Sequence, residues 1–385
     1  MEQSAPDVPE TYKKEAVKEF AIRRMRLTPE TQGKGESDVL SVVRDIGGLQ
    51  YGGHLSELFS RVKYFRPEWF EHLSEAYSLI EGHVLRGALR IVDAEEYPYY
   101  FKATRCVARR RRYQNCPAAL NEDHILAQRC LDTRGPLTIQ EFKELFMEEH
   151  PQSKSKAGRL LQDLYNHGEV ARMGRKNQKP LFHTVEKLPY ELEVSEISEK
   201  EAKEWLLLKC LSIHGPFTVG DIAHWVGWNL TEAKETLRGL ISGGEVVNVN
   251  VEGDRSPNYL RAQDVPFLSS LADDLPEHNF VRILFNDDAL LLGCYKRLLG
   301  YFGYQWAYPQ FSEGVVWRAA ILSGRNLIGE ADVEMYSKSP VFRVRSLTMR
   351  EDLADPDTLS RMEDTFRRHA EFRGKTLAMA RSRLV

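Results

Sequence analysis

Apolar residues recur along most of this chain at helical spacing, and one stretch of that pattern occurs twice. In the first copy Ala157, Leu160, Leu161 and Leu164 form a stripe; in the second Ala233, Leu237, Leu240 and Ile241 do so. Such spacing lines one face of an α-helix and predicts that the face is buried. A Gly-Pro turn and a threonine precede each stripe, as Gly135-Pro136-Leu137-Thr138 and Gly215-Pro216-Phe217-Thr218. Thr138 and Thr218 are placed as N-caps, whose side-chain oxygens accept from free backbone N–H groups. Gly168 and Gly244 close the two long helices, as residues suited to positive φ do. Alternating segments with a polar tip follow, out to Leu181-Phe182-His183 and Tyr259-Leu260-Arg261. A helix, a short helix, a longer helix and a ribbon in that order predict a winged helix, whose third helix can enter a DNA groove.

Outside the repeat, the periodicity predicts helices over Lys13–Leu27, Glu36–Gly47, His54–Tyr64, Pro67–Leu73 and Glu95–Tyr113. Leu79–Val92 alternates as two short strands turning near Leu85–Gly87. Further on, Val281–Phe285 reads as a buried strand and Leu290–Gly300 as a helix. Val315–Leu322, Leu327–Met335 and Val341–Leu347 read as an antiparallel sheet, with a hairpin turn at Gly324-Arg325-Asn326, and Asp355–Gly374 as a final helix. Met1–Tyr12 is expected to be a loose tail and Thr376–Val385 a short basic one. The fold class expected is α+β, mainly α, with tandem winged-helix domains and a C-terminal antiparallel β-sheet subdomain. The expected boundaries are 1–120 for an N-terminal helical, winged-helix-like domain with a β-ribbon, 121–190 and 191–264 for the winged helices, and 265–385 for the C-terminal domain.

Charged residues make up 28% of the 385 and hydrophobic ones 42%, an ordinary globular composition. The net charge of -3 means that a nucleic-acid role needs a local basic face. Three candidates stand out. His83, Arg86 and Arg90 would project from the first ribbon. Arg109, Arg110, Arg111 and Arg112 end the helix after it, either as phosphate contacts or as a solvated C-terminal turn favoured by the helix dipole. Lys154, Lys156 and Arg159 lie off the buried stripe of the first long helix, on the same side as Arg172, Arg175, Lys176 and Lys179 of its ribbon. That grouping suggests neutralisation of a DNA backbone. In the second copy Glu232 and Glu235 balance Lys234 and Arg238, which suggests a packing role. Arg23, Arg24 and Arg26 are read as a solvated face.

The five cysteines are scattered, without ligand spacing, so neither a disulfide framework nor a zinc site is expected, and no cofactor. No apolar run is long enough to span a membrane, and Met1–Glu10 lacks the apolar core of a signal peptide. A reducing, cytoplasmic, nucleoid-associated location is expected. The sequence holds no G-x-x-x-x-G-K-[ST], G-x-G-x-x-G after a strand, H-E-x-x-H or G-x-S-x-G. What remains is Leu49-Gln50-Tyr51-Gly52-Gly53-His54, where glycine pairs on both sides make either a close approach to a ligand or a plain turn between helices.

Three stretches carry a family resemblance. Ile46–Gly52 resembles the L-Q-φ-[QD] catalytic stretch of winged-helix DNA glycosylases, the family of the YcaQ-type and AlkZ-type crosslink-repair enzymes. His83–Pro98 resembles their W-x-x-R-G-T-x-H ribbon. Lys296–Gln310 with Val315–Glu334 resembles the C-terminal region of the YcaQ type. The resemblance covers nearly the whole chain at low identity. It implies a monomer that binds duplex DNA in a concave surface and hydrolyses the N-glycosidic bond of alkylated or crosslinked purines. A base alkylated at N7 or N3 is already cationic and leaves without a strong acid. The reaction then needs a positioned water and tolerance of positive charge at C1′. Gln50 matches the first catalytic position and would position the water. The Gln or Asp expected two residues later is Gly52, so another group substitutes or activity is lost. Glu57 and Glu81 are the nearest carboxylates, each with a structural reading beside the catalytic one; Glu81, on the ribbon, is named with Gln50 as the candidate catalytic pair. The alternatives are a non-catalytic DNA-binding regulator or damage sensor, and a protein-interaction scaffold.

Overall fold

A five-stranded sheet ties the N-terminal third of the chain to the first repeat. The computed structural model describes residues 10–110, 119–151, 156–188, 196–286, 288–293, 296–304, 316–335, 338–379 and 383–384. The first third comprises β1 (Thr11–Tyr12), α1 (Lys14–Arg24), α2 (Val39–Asp45), β2 (Leu49–Gln50), α3 (His54–Arg61), α4 (Pro67–Glu75), β3 (Leu79–His83), β4 (Leu89–Asp93) and α5 (Tyr97–Arg110). The first repeat is α6 (Glu122–Arg134), α7 (Ile139–Glu149), α8 (Ala157–His167), β5 (Val170–Lys176) and β6 (Lys179–Thr184). Strand order in the shared sheet is β2-β4-β3-β5-β6, all antiparallel.

The second repeat is α9 (Glu199–His214), α10 (Val219–Val226), α11 (Leu230–Ser242), β7 (Val246–Val251) and β8 (Asn258–Arg261). The remainder runs α12 (Val265–Asp273), β9 (Val281–Phe285), α13 (Ala289–Gly293), α14 (Lys296–Tyr301), β10 (Val316–Ser323), β11 (Asn326–Glu334), β12 (Val341–Met349), α15 (Pro356–Phe372), β13 (Thr376–Met379) and β14 (Arg383–Leu384). The result is a mixed α/β fold in which β9–β12 form an antiparallel sheet packed on α15.

Local chemistry sets the helix limits. Thr138 caps α7 in a reciprocal box with Glu141, and Thr218 caps α10 in the same way with Asp221. Gly168 and Gly244 both adopt φ 74° where α8 and α11 stop. The stripes on both helices are buried except for Ile241, which is 42% exposed. Eight residues beyond Ala233 an α-helix has turned roughly 80° past it, so Ile241 sits at the margin of the buried arc. The two copies pack differently. The first has its own core around Phe142, Phe146, Leu161 and Leu164. The second merges with α1, α5 and α14, placing Leu207, Trp225 and Leu237 in one core with Phe20, Tyr100 and Leu298.

The described parts of the two tails depart from expectation, and residues 1–9 lie outside the described residues. Thr11 and Tyr12 pair in parallel with β7, and the buried Tyr12 hydroxyl bonds Glu10 and Ser269 at 2.5 and 2.9 Å. Thr376–Met379 and Arg383–Leu384 both add in parallel to β12. These pairings are long-range, and short segments carry no periodicity that would announce them.

Candidate active site

Sheet register decides which groups can meet Gln50. Leu49 pairs with Ile91, which pairs with Glu81, which pairs with Arg172; Gln50 pairs with Arg90, which pairs with Gly82. Successive residues of a strand point to opposite faces. Gln50 and Glu81 therefore lie on opposite faces, which corrects the expectation that they form a catalytic pair. Glu81 is also engaged: it accepts from the Tyr165 hydroxyl at 2.7 Å and pairs with Arg172, whose guanidinium lies 4.3 Å from the Tyr165 ring centroid.

Gln50 ends β2, half-buried, and its side-chain amide makes no hydrogen bond with a described residue. Tyr51 beside it is 45% exposed. Gly52 adopts φ 98°, and a Cβ there would meet nothing within 4 Å. The position at which the resemblance expects a second polar side chain is thus open space over a backbone that favours glycine.

Glu57, on α3, is the carboxylate that lies beneath this turn. Its Oε2 accepts from the Gln50 backbone N–H at 2.8 Å, and its Oε1 has no partner among the described residues. Burial, reinforced by Asp288, pushes its pKa up to about 8 against the opposing pull of Arg61. Burial thus favours the protonated form, which makes the group a poor base. Arg61 is 0% exposed and makes a two-pronged pair with Asp288, 2.7 Å on each side, while donating to the Met25 carbonyl at 2.9 Å. Asp288 also accepts from the Leu290 N–H at 2.9 Å, so this pair joins α3 to α13. His54 opens α3 with its ring centroid 4.7 Å from that of Phe70. Burial, then Arg373 and Arg175, push its pKa down to about 4, which leaves it neutral. Arg175 of the first repeat thus acts electrostatically at the Gln50 turn, a proximity that sequence spacing does not reveal.

The other expected residues divide sharply. Arg90 is 2% exposed and donates to the Gly48 carbonyl at 3.3 Å. His83 is buried with Nδ1 3.0 Å from the Gly87 carbonyl oxygen. Arg86, at φ 57°, lies 3.0 Å from His224 Nε2 and donates to the Leu292 carbonyl at 3.2 Å. These three were expected to project toward a groove; His83 and Arg90 are instead buried, and Arg86, half-buried in the turn, reaches α10 and α13. Lys156, Arg159, Lys176 and Lys179 are exposed, Arg159 at 75%, and Arg175 is half-buried. Lys176 pairs with Glu141 at 2.5 Å, and Arg159 and Lys156 have looser partners at 3.8 and 3.6 Å. Arg109 and Arg110 close α5, and their side chains, with Arg111, Arg112 and Lys154, lie outside the described residues. Sequence reasoning missed Arg61, Asp288 and Arg373 as partners of the site, since nothing local in the sequence signals a buried ion pair 227 residues apart.

The sheet-bound turn, the paired helix-and-ribbon repeats and the C-terminal sheet together are those of a known class. The chain belongs to the AlkZ-like DNA glycosylase family, whose model matches residues 43–372. Among solved structures, it is similar in fold to the Streptomyces sahachiroi DNA glycosylase AlkZ, with a TM-score of 0.67 at 16% sequence identity over 96% of this chain and 99% of that one. No curated protein matches the chain. No helix among the described residues is long and apolar enough to cross a membrane.

Proposed function

We propose that this protein is a DNA glycosylase that hydrolyses the N-glycosidic bond of alkylated or crosslinked purines in duplex DNA. The observation that carries the reading is Gln50: an uncommitted amide at a strand end, beside an open glycine ledge, in the family frame. Its Oε1 would hold a water for attack at C1′ while the cationic base departs. Gly52 leaves room for the sugar or a bulky adduct. Glu57, whose burial favours its protonated form, anchors the β2 end through the Gln50 N–H instead of activating water. The two repeats are read as winged helices, at 121–190 and 191–264, between an N-terminal domain of 1–120 and a C-terminal domain of 265–385. Lys156, Arg159, Arg175, Lys176 and Lys179 would neutralise phosphates of the duplex, with the protein acting as a monomer in the cytoplasm.

The test is incubation with a duplex containing N7-methylguanine, scored by abasic-site cleavage. Gln50→Ala is expected to slow release by about 10²–10³-fold, the usual cost of one oriented polar group at a reacting centre, with duplex affinity little changed. Absence of release by the wild-type chain from several alkylated duplexes, with binding retained, would overturn the enzymatic reading. It would favour instead a non-catalytic DNA-binding damage sensor, for which the missing side chain at Gly52 speaks.

A further inference from the structure

Below the far end of α3 lies a pocket of about 270 Å³ whose lining includes Gln32, Lys63, Tyr64, Arg282, Arg368 and His369. At ~30 Å³ per water it has room for about nine waters, and so for a phosphate with its sugar. No carboxylate of a described residue lines it. Arg282, on β9, donates through Nε to the Leu27 carbonyl at 3.1 Å and through Nη1 to the Val281 carbonyl at 3.3 Å. Its Nη2 makes no hydrogen bond with a described residue; the guanidinium lies 4.9 Å from the Phe280 ring centroid and pairs with no carboxylate of a described residue. Lys63 is exposed, with its ammonium 5.1 Å from the Tyr64 ring centroid. Arg368 has an outward partner, Asp364 at 3.3 Å.

The cations are a poor arrangement for the protein alone. Burial, then Arg368 and Arg61, push the Arg282 pKa down to about 10, and Glu30 acts only weakly the other way. His369 contributes no charge, because burial and then Arg373 push its pKa down to about 3. A larger cavity of about 670 Å³ makes the contrast. There Arg23, Arg24, Arg26, Lys209 and Arg261 each hold a carboxylate: Glu19, Asp264, Asp45, Glu96 and Asp264 respectively. In the smaller pocket Lys63 and Arg282 hold no carboxylate among the described residues, and Arg368 shares Asp364 with Arg367.

We propose that the pocket of Lys63, Arg282 and Arg368 is a phosphate-binding site that holds a backbone phosphodiester of the DNA strand passing Gln50. The proposal rests on the DNA-binding reading above. α3 connects the two places: its first residue, His54, adjoins the Gln50 turn, and Ser60 lines the pocket. The six rises from His54 to Ser60 span about 9 Å of helix, the axial length of two to three base steps at ~3.4 Å each. Arg373 lies between them, donating to Ser56 Oγ at 2.5 Å and pairing with no carboxylate among the described residues. A strand leaving the Gln50 turn along α3 would meet Arg373 and then the pocket.

The test is fluorescence anisotropy of a labelled 20-base-pair duplex titrated with salt, using the wild-type chain and a Lys63→Ala, Arg368→Ala double variant. Both side chains are exposed, so the variant is expected to keep its melting temperature. The expected result is weaker binding on every sequence tried and a log–log salt slope reduced by about 1 to 2. Arg282→Gln serves as a second variant, with folding checked by circular dichroism because its Nε supports Leu27. Wild-type slopes in both folded variants overturn the proposal while leaving the DNA reading intact. Failure of the wild-type chain to bind duplex at low salt overturns the DNA reading and the phosphodiester occupant together. In that case a rise in melting temperature with inorganic phosphate, lost in the double variant, would identify free phosphate as the ligand.

Discussion

Glu57 shows how a single side chain changes character when its surroundings are known. From the sequence it reads as one of two carboxylates near Gln50, structural or catalytic. Buried beneath the Gln50 turn, it holds a proton to about pH 8. Its folded-state pKa is raised above the unfolded value, so its contribution to stability is complete below about pH 4.3 and is lost as the pH rises through 8. Glu57→Gln keeps an acceptor for the Gln50 N–H and removes the ionisation. The variant is expected to melt at least about 2 °C higher than wild type at pH 9 and to show a smaller difference at pH 5. An equal difference at both pH values in a calorimetric scan would show that Glu57 is not protonated in the fold. The strand end and glycine turn that carry Gln50 were legible from its neighbours in sequence. Glu81 was misassigned because a one-residue difference in register places a side chain on the other face of a sheet, and strand partners cannot be counted from one strand.

At the scale of elements, α3 links the Gln50 turn to the rest of the fold. Its N-terminus adjoins the Gln50 turn, its middle is tied to α15 through Ser56 and Arg373, and its end is fixed to Asp288 by Arg61. Asp288→Ala would leave the Arg61 guanidinium buried and unpaired. Such a loss costs about 3–5 kcal/mol, and urea denaturation should show it as a lower midpoint with an unchanged slope. A cost under about 1 kcal/mol would mean that water reaches Arg61 in solution. The helices, caps and stop residues were legible because their signals are local: Thr138 and Glu141, or Thr218 and Asp221, lie three residues apart. The parallel additions of β1 to β7 and of β13 to β12 were not, since each partner is distant in sequence.

For the molecule as a whole, the buried histidines set the response to acid. Burial pushes His54 down to about 4, and His214 and His369 to about 3, and lowers His83 and His183 as well. Each folded-state pKa lies below the unfolded value of about 6.5. The associated stability is therefore present above pH 6.5 and is lost as the pH falls toward 4, at up to roughly 1.4 kcal/mol per site per pH unit. Glu57 offsets only one such site. The melting temperature should fall between pH 6.5 and 4, and a flat profile over that interval would show that these imidazoles are hydrated.

By itself the sequence determined most of the helices with their caps and stops, because each depends on residues within a turn or two of one another. Only the tertiary structure decided which charges are available. It turned Arg86 and Arg90 inward, joined Glu81 to Arg172, proton-loaded Glu57 and left Arg282 without a carboxylate partner among the described residues. Burial and ion pairing depend on contacts between segments hundreds of residues apart, and charge in a protein has its chemical meaning only once those neighbours are fixed.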